Sequence, residues 1–124
     1  MQTFELAQLL EQRAQSARAY LEFLRVPALS VGIYHLPLGS RDLQQPHTED
    51  EVYYVLSGRG HFWAAGEQIA VRPGTLIFVE RAVEHRFFEI TENLTVLVYF
   101  APAEGSASRI GATPGDSGAK KDAV

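Results

Sequence analysis

The chain has 124 residues, 46% hydrophobic and 21% charged, which is enough for one globular domain and too little for two. Its 11 basic residues are scattered and are outnumbered by 15 acidic ones, which argues against nucleic-acid binding, since that requires a concentrated basic surface. The absence of cysteine excludes disulfides and thiolate ligands, and no apolar run approaches the roughly 20 residues of a membrane span.

Residues 1–28 are predicted to form a short helix and a lead-in strand. Thr3 is a candidate N-cap, and the apolar residues after it recur at close to helical spacing as far as about Ser16. Residues 19–26 are compatible with a helix or a strand, and Pro27 ends either one. We favour a strand because the chain downstream is rich in β-type patterns.

From Leu29 to Pro102, short apolar runs alternate with Gly and Pro turns, and Ser57-Gly58-Arg59-Gly60 is interpreted as one of these turns. This pattern is typical of an antiparallel sandwich or barrel. No helical pattern interrupts it, which argues against a parallel βαβ fold. The predicted strands are 29–36, 51–56, 61–65, 68–71, 76–79, 86–90 and 94–100.

The composition changes after Pro102. Residues 103–124 are rich in Gly, Ser and Ala and contain no aromatic residue. Such a segment buries too little apolar surface to offset its ordering entropy, so we predict a flexible tail. The predicted organisation is therefore a lead-in at 1–28, a barrel at 29–102 and a tail at 103–124.

Two histidines and a glutamate stand out as candidate metal ligands. His47 and Glu51 are four residues apart, which keeps two side chains on one face of a strand, and His85 follows a second apolar run. The run after Glu51 is apolar on both faces, so this carboxylate is costly to bury without a cation or hydrogen bonds. A lone histidine is more often a surface or core residue, so the hypothesis rests on the three residues together.

Strand alternation extends the candidate site. Tyr53 shares the face of Glu51, and both Phe87 and Glu89 share the face of His85. We expect Tyr53, Phe87 and Glu89 to line a pocket, and we consider Tyr53 and Glu89 as proton-transfer groups.

Other polar residues are weaker candidates. His61 is expected on the outer face, and His35 is a minor candidate for the pocket. Glu49 and Asp50 are interpreted as a solvated pair in a loop.

The spacing of the candidate ligands resembles the first motif of the cupin family. That motif is Gly, five residues, His-x-His, three or four residues, Glu, six residues and Gly. Gly39 stands at its first position, Gln45 replaces the first His, and the remaining positions are held by His47, Glu51 and Gly58.

The second cupin motif is Gly, five residues, Pro-x-Gly, two residues, His, three residues and Asn. Gly74 and His85 match it, whereas Glu80, Ala82 and Glu89 replace the Pro, the Gly and the Asn. The turn before His85 should therefore differ from that of the family, because Ala82 lacks the freedom of glycine at positive φ.

The resemblance implies an all-β fold, a double-stranded β-helix or jelly-roll barrel with a short N-terminal helix. It also implies a divalent metal ion (Fe, Mn, Zn or Ni) held by His47, Glu51 and His85. Gln45 is a further candidate ligand, or a group that hydrogen-bonds metal-bound water, or the mark of a weaker site. The alternative is a metal-free barrel whose polar groups bind a small molecule or water.

Two functional classes follow from the resemblance. One is a metal-dependent enzyme of the dioxygenase, isomerase or decarboxylase type that acts on a small molecule. The other is a non-catalytic small-molecule binder or sensor cupin. The N-terminus lacks a signal-peptide pattern, and we expect a cytoplasmic protein without membrane or nucleic-acid partners. We also expect a homodimer, because Tyr54 and Leu56 contribute to an apolar outer face.

Overall fold

The computed structural model describes residues 1–43 and 46–106. These ranges form one antiparallel six-stranded sheet in the order β1-β2-β6-β3-β4, with β5 paired to β3. The all-β barrel with a short N-terminal helix that the sequence predicts is therefore confirmed. Within these ranges, no helix has the length and hydrophobicity to cross a membrane. The elements are α1 (Leu6–Gln15), β1 (Tyr20–Val26), β2 (Leu29–Leu36), β3 (Asp50–Ala64), β4 (Glu67–Val71), β5 (Leu76–Val79) and β6 (His85–Ala101).

The N-terminal segment packs on one edge of the sheet. Helix α1 contacts β1 and β2 and buries Leu9 against them. The prediction of Thr3 as N-cap is wrong, because the helix begins after Glu5, whose extended backbone ends the preceding segment without a side-chain cap. The preference for a strand at residues 19–26 is confirmed, since β1 pairs with β2 from Tyr20 opposite Tyr34 onward.

Two long strands, β3 and β6, replace four shorter predicted ones. Residues 57–60 are not a turn, because they lie inside β3 and keep pairing with β6. The β3–β6 register slips three times between Val55 and His61, at each step from Val55 to Ser57, Arg59 and His61. Extra residues in one strand bend it and increase its twist. The bulges therefore curve β3 and β6 without ending them, and this curvature helps to close the sheet into a barrel.

Gly58 occupies the centre of this bulged region. Its φ is +93°, a conformation that side-chain-bearing residues rarely adopt. A Cβ atom at this position would lie 2.1 Å from the carbonyl oxygen of Asn93 on β6. Glycine is therefore required at this last position of the first motif, because the backbones of β3 and β6 approach each other too closely there for a side chain.

The inner face of the sheet forms the core. Tyr53, Phe62 and Phe87 contact one another edge to face, with ring centroids 4.7–5.5 Å apart. Val98 and Phe100 on β6 are fully buried in the same cluster. Aromatic rings and branched side chains thus surround the interior into which Glu51 and His85 project.

An outer apolar face, defined here as Tyr54, Leu76, Phe78 and Tyr99, lies on the other side of the sheet. Leu76 is opposite Tyr54, and both Phe78 and Tyr99 are opposite Val52, so their side chains share one face. Leu76 and Phe78 remain 67% and 64% exposed. Helix α1 packs on β1 and β2 and leaves these side chains exposed. We therefore propose that a second copy of the chain packs against this face.

We predict that Gly58→Ala destabilises the protein far more than Gly66→Ala. Both glycines have positive φ, but a Cβ at Gly66 would meet nothing within 4 Å. Gly66→Ala should therefore cost only backbone strain of about 1–3 kcal/mol. Gly58→Ala adds a clash with main chain, and denaturant unfolding should show a loss larger by at least about 2 kcal/mol. Equal losses in the two variants would contradict the close approach.

We predict that the protein is a homodimer through the outer apolar face. Light scattering should give about twice the chain mass of 13.7 kDa at micromolar concentration. Tyr54→Asp or Leu76→Asp should shift the protein to a monomer that keeps its circular dichroism spectrum. Leu38→Asp is the matched control, because Leu38 is 62% exposed but lies outside this face. A wild-type monomer would contradict the prediction.

Candidate metal centre

The structure brings His47, Glu51 and His85 together inside the barrel. Their ligand atoms all lie within 4.8 Å of one another, and the three residues are 4%, 2% and 3% exposed. His47 lies in the loop before β3, Glu51 is the second residue of β3, and His85 is the first residue of β6. Glu51 is flanked by Val79 on β5 and Phe100 on β6, so strands cover it on both sides.

His85 is held by contacts to both ring nitrogens. Its Nδ1 lies 2.8 Å from the carbonyl oxygen of Val83, which can only accept, so Nδ1 carries a hydrogen. In the neutral ring, the lone pair is then on Nε2. Nε2 lies 2.8 Å from Glu51 Oε1 and 3.0 Å from the Tyr53 hydroxyl. The local structure therefore aims Nε2 at the carboxylate of the candidate centre.

Two opposing effects act on the pKa of His85. Burial alone would lower it, because an imidazolium is poorly solvated in the interior. The adjacent Glu51 carboxylate outweighs this effect, with help from Val83 and Asp42, and the pKa is raised above its ordinary value. The site therefore favours positive charge next to Glu51.

Several donor atoms of the centre lack a partner. His47 Nε2 and both carboxylate oxygens of Glu51 are buried, and within residues 1–43 and 46–106 no group meets them with hydrogen-bond geometry. Glu51 Oε1 lies 2.8 Å from His85 Nε2, a close contact that compensates its charge only when the ring is protonated. Leaving buried polar atoms unsatisfied costs about 1–3 kcal/mol each, and more for charged groups. Two imidazole nitrogens and a carboxylate therefore fit a divalent cation.

Two further carboxylates approach the centre. Glu49 is only 1% exposed, so the prediction of a solvated loop position is wrong for this residue. Its Oε1 accepts a hydrogen bond from Gly105 N–H at 3.0 Å, and its Oε2 accepts one from the Thr48 hydroxyl. Burial, with the negative charges of Glu22, Glu49 and Glu51, raises the pKa of Glu104 to about 7, and Arg25 opposes this rise.

Glu104 belongs to the segment that the sequence analysis assigned to a flexible tail. The described part of the chain continues to Ser106, and Ala103 is 1% exposed. Glu104 N–H donates to Ser30 Oγ at 2.9 Å, and Glu104 C=O accepts from Arg25 Nη2 at 2.7 Å. Residues 103–106 are thus attached to the barrel, while residues 107–124 lie outside the described residues.

The predicted pocket residues fall in different places. Tyr53 and Phe87 line the interior, at 0% and 1% exposed. Glu89 does not, because its side chain is 72% exposed and lies 3.7 Å from His61 on the outside. Its φ of +45° breaks the alternation of β6, and Ile90 takes the inward position instead. The pocket assignment of Glu89 is therefore corrected. Gln45 lies outside the described residues.

The remaining histidines do not join the centre. His61 is on the outer surface, where its ring contacts Phe88. His35 lies on the face of β2 opposite Tyr34, which faces the core, and its Nδ1 is 3.0 Å from Thr95 Oγ1. Burial lowers the pKa of His35, and the positive charge of Arg13 adds to this effect.

The sequence analysis missed three polar residues of the interior. Tyr20 is 4% exposed, and its hydroxyl has no hydrogen-bond partner in the described part of the chain. Its pKa is raised by burial and by the charges of Glu104, Glu22 and Glu51. Asp42 accepts hydrogen bonds from the Tyr34 hydroxyl at 2.8 Å and from Phe87 N–H at 2.9 Å. The third is Glu104. The alternation of side chains along β1 was the only feature of the sequence that pointed to Tyr20. No feature of the sequence marked Asp42 or Glu104.

Comparison with known proteins agrees with this architecture. The cupin-domain family matches residues 32–100, which is more than half of the chain, and the chain therefore belongs to the cupin family. A protein of Streptomyces coelicolor described as uncharacterised is 44% identical over 104 residues, covering 84% of this chain and 99% of the relative.

Solved structures share the fold at low sequence identity. The protein TT1209 of Thermus thermophilus superposes with a TM-score of 0.70 at 23% identity, covering 83% of this chain and 99% of that one. The DMSP lyase DddQ of Ruegeria pomeroyi gives a TM-score of 0.64 at 19% identity. That alignment covers 68% of this chain but only 46% of the lyase, so this chain matches less than half of its length.

We predict that truncation after Ala103 destabilises the protein, whereas truncation after Ser106 does not. The shorter form loses the hydrogen bonds of Glu104 to Ser30 and of Gly105 to Glu49. Each unsatisfied buried partner costs about 1–3 kcal/mol, so Tm should fall on the order of 10 °C. Truncation after Ser106 should leave Tm within about 3 °C, as the composition of residues 107–124 predicts. Equal Tm values for both forms would show that these contacts do not stabilise the fold.

Proposed function

We propose that this protein binds one divalent metal ion through His47, Glu51 and His85 and uses it to act on a small molecule. The observation that supports this proposal is the set of buried donor atoms that have no hydrogen-bond partner among the described residues, above all Oε2 of Glu51 and Nε2 of His47. A buried carboxylate is retained at low cost only where a cation or donors compensate it. The nitrogen and oxygen donors suit Fe(II), Mn(II), Zn(II) or Ni(II).

When bound, such an ion supplies a Lewis acid that polarises an oxygen of the small molecule. The surrounding residues contribute orientation and a dry interior. The carbonyl of Val83 fixes the ring of His85, and the aromatic cluster that includes Phe62 and Phe87 excludes water. Burial raises the pKa of Tyr20, and its hydroxyl is a buried hydrogen-bond donor without a partner among the described residues.

We propose an enzyme rather than a passive binder, of the dioxygenase, isomerase or decarboxylase type. Besides ligands, catalysis requires a group that moves a proton, and we propose Tyr53 for that role, because its hydroxyl lies beside the candidate centre, 3.0 Å from the His85 nitrogen that would bind the metal. The lyase among the structural neighbours is an enzyme on the same fold. At its low identity this supports only the capacity of the fold for catalysis.

A non-catalytic binder without metal is the second candidate. The observation that favours it is the contact of His85 Nε2 with both Glu51 and Tyr53. These groups partly compensate one another when His85 is protonated, so the barrel can exist without an ion and can offer the same groups to a ligand.

We predict that single substitutions of the three ligands abolish metal binding. Protein purified without an affinity tag should contain near-stoichiometric metal by elemental analysis, and His47→Ala, Glu51→Gln and His85→Ala should lose most of it. Added Zn(II) at about 100 times its Kd should stabilise the metal-depleted wild type by about 2.7 kcal/mol and leave the variants unchanged. His61→Ala is the matched control, because His61 lies outside the barrel.

Metal content equal to wild type in all three variants would reject the metal centre. A wild type that binds no divalent ion, but is stabilised by a small molecule in a His47-dependent way, would favour the second candidate.

A further inference from the structure

Glu104 brings a second carboxylate to the candidate metal centre from beyond the last strand. Its Oε2 lies 3.7 Å from Nδ1 of His47. The side chain is 15% exposed, and Oε2 itself is buried without a hydrogen-bond partner among the residues that the structure describes. Neither cupin motif includes a residue at this position, and the metal-binding proposal does not use it.

The two nitrogens of His47 have different surroundings. Nδ1 faces Glu104, whereas Nε2 is buried without a partner in the described ranges. The nitrogens project from opposite sides of an imidazole ring, so a carboxylate beside Nδ1 leaves Nε2 open. The ligand atoms of His47, Glu51 and His85 form a mutual group within 4.8 Å that does not include Glu104. Glu104 is therefore placed to act on His47 and not as a fourth member of that group.

The backbone around Glu104 is attached on three sides. Its N–H donates to Ser30 Oγ, its C=O accepts from Arg25 Nη2, and the next N–H, of Gly105, donates to Glu49 Oε1. Ser30 is fully buried and Glu49 is 1% exposed, so two of these anchors belong to the barrel itself. Because these contacts fix the main chain at Glu104, its side chain starts from a defined position beside His47.

We propose that Glu104 is the outer carboxylate partner of His47, which holds the ring in the Nδ1–H tautomer and keeps Nε2 free to bind the metal. At 3.7 Å the contact is longer than a hydrogen bond, and a cation at Nε2 would strengthen the attraction by making the Nδ1–H more acidic. Metal-binding histidines usually donate their second N–H to a carboxylate or carbonyl, which fixes the ring and increases its affinity. The metal part of this inference rests on the proposed function, whereas the tautomer part does not.

The tautomer of His47 tests the contact without any metal. Metal-depleted, ¹⁵N-labelled protein at about pH 8, above the ordinary pKa of histidine, is compared by long-range ¹H–¹⁵N NMR. The wild type should show the Nδ1–H form of His47. Glu104→Ala should shift the ring toward the Nε2–H form that an unconstrained histidine prefers. Glu104→Gln keeps an acceptor oxygen and should fall between the two.

Glu22→Gln is the control for charge alone. Glu22 adds to the negative potential at Glu104 and pairs with Arg25, but no contact joins it to His47 in the described part of the chain. This variant should keep the wild-type tautomer. An Nδ1–H form that persists in Glu104→Ala, or that is lost equally in Glu22→Gln, would overturn the proposal.

Zn(II) titration tests the consequence for affinity. Loss of an outer partner lowers metal affinity by about 10- to 100-fold, so the Kd of Glu104→Ala should rise by at least about 10-fold, with a smaller rise in Glu104→Gln. Glu22→Gln should stay within about 2-fold of wild type. An unchanged Kd in Glu104→Ala, in a protein whose wild type binds Zn(II), would overturn the inference. Absence of Zn(II) binding by the wild type, together with the expected tautomer change, would reject the proposed function and retain the role of Glu104.

Discussion

The need to compensate buried negative charge dominates the interior of this barrel. Glu49, Glu51 and Glu104 are withdrawn from water within one region, and desolvation of each carboxylate costs several kcal/mol. The protein compensates them unequally. Glu49 receives hydrogen bonds, whereas Glu51 has the ring of His85 beside it and Glu104 has an oxygen without a partner in the described ranges. The Glu51 carboxylate raises the pKa of His85 in spite of burial, and the same negative charge makes this interior favourable for a cation.

The pairing of β3 with β6 provides the geometry for that interior. Both strands are long, and slips in their register curve the sheet instead of ending it. Gly58 permits this at one point, where the β6 backbone approaches so closely that no Cβ fits. Because of the curvature, His85 at the start of β6 meets Glu51 at the start of β3, although along the ladder His85 is opposite Ala64.

The segment after β6 connects the candidate centre to the first strands of the sheet. Arg25 on β1 and Ser30 on β2 both bind the main chain of Glu104, and Glu49 binds that of Gly105. Residues far apart in the chain therefore hold the segment that brings Glu104 to His47. The fold thereby recruits a polar group from outside the two motifs, which is a common way for one barrel to support different chemistries.

The sequence by itself was sufficient for the β-class, the strand at residues 19–26 and the proposal that His47, Glu51 and His85 act together. Hydrophobic alternation and motif spacing are local properties, and local pattern determines which face a strand residue occupies. The local pattern gave the wrong prediction at Glu89, where a positive φ shifts the alternation of β6. It also gave the wrong prediction at residues 57–60, where bulges keep β3 continuous instead of ending it. Only the tertiary structure decided that Glu49 is buried and that Glu104 faces His47. Both depend on hydrogen bonds between segments more than 50 residues apart, and no pattern within one segment encodes such contacts.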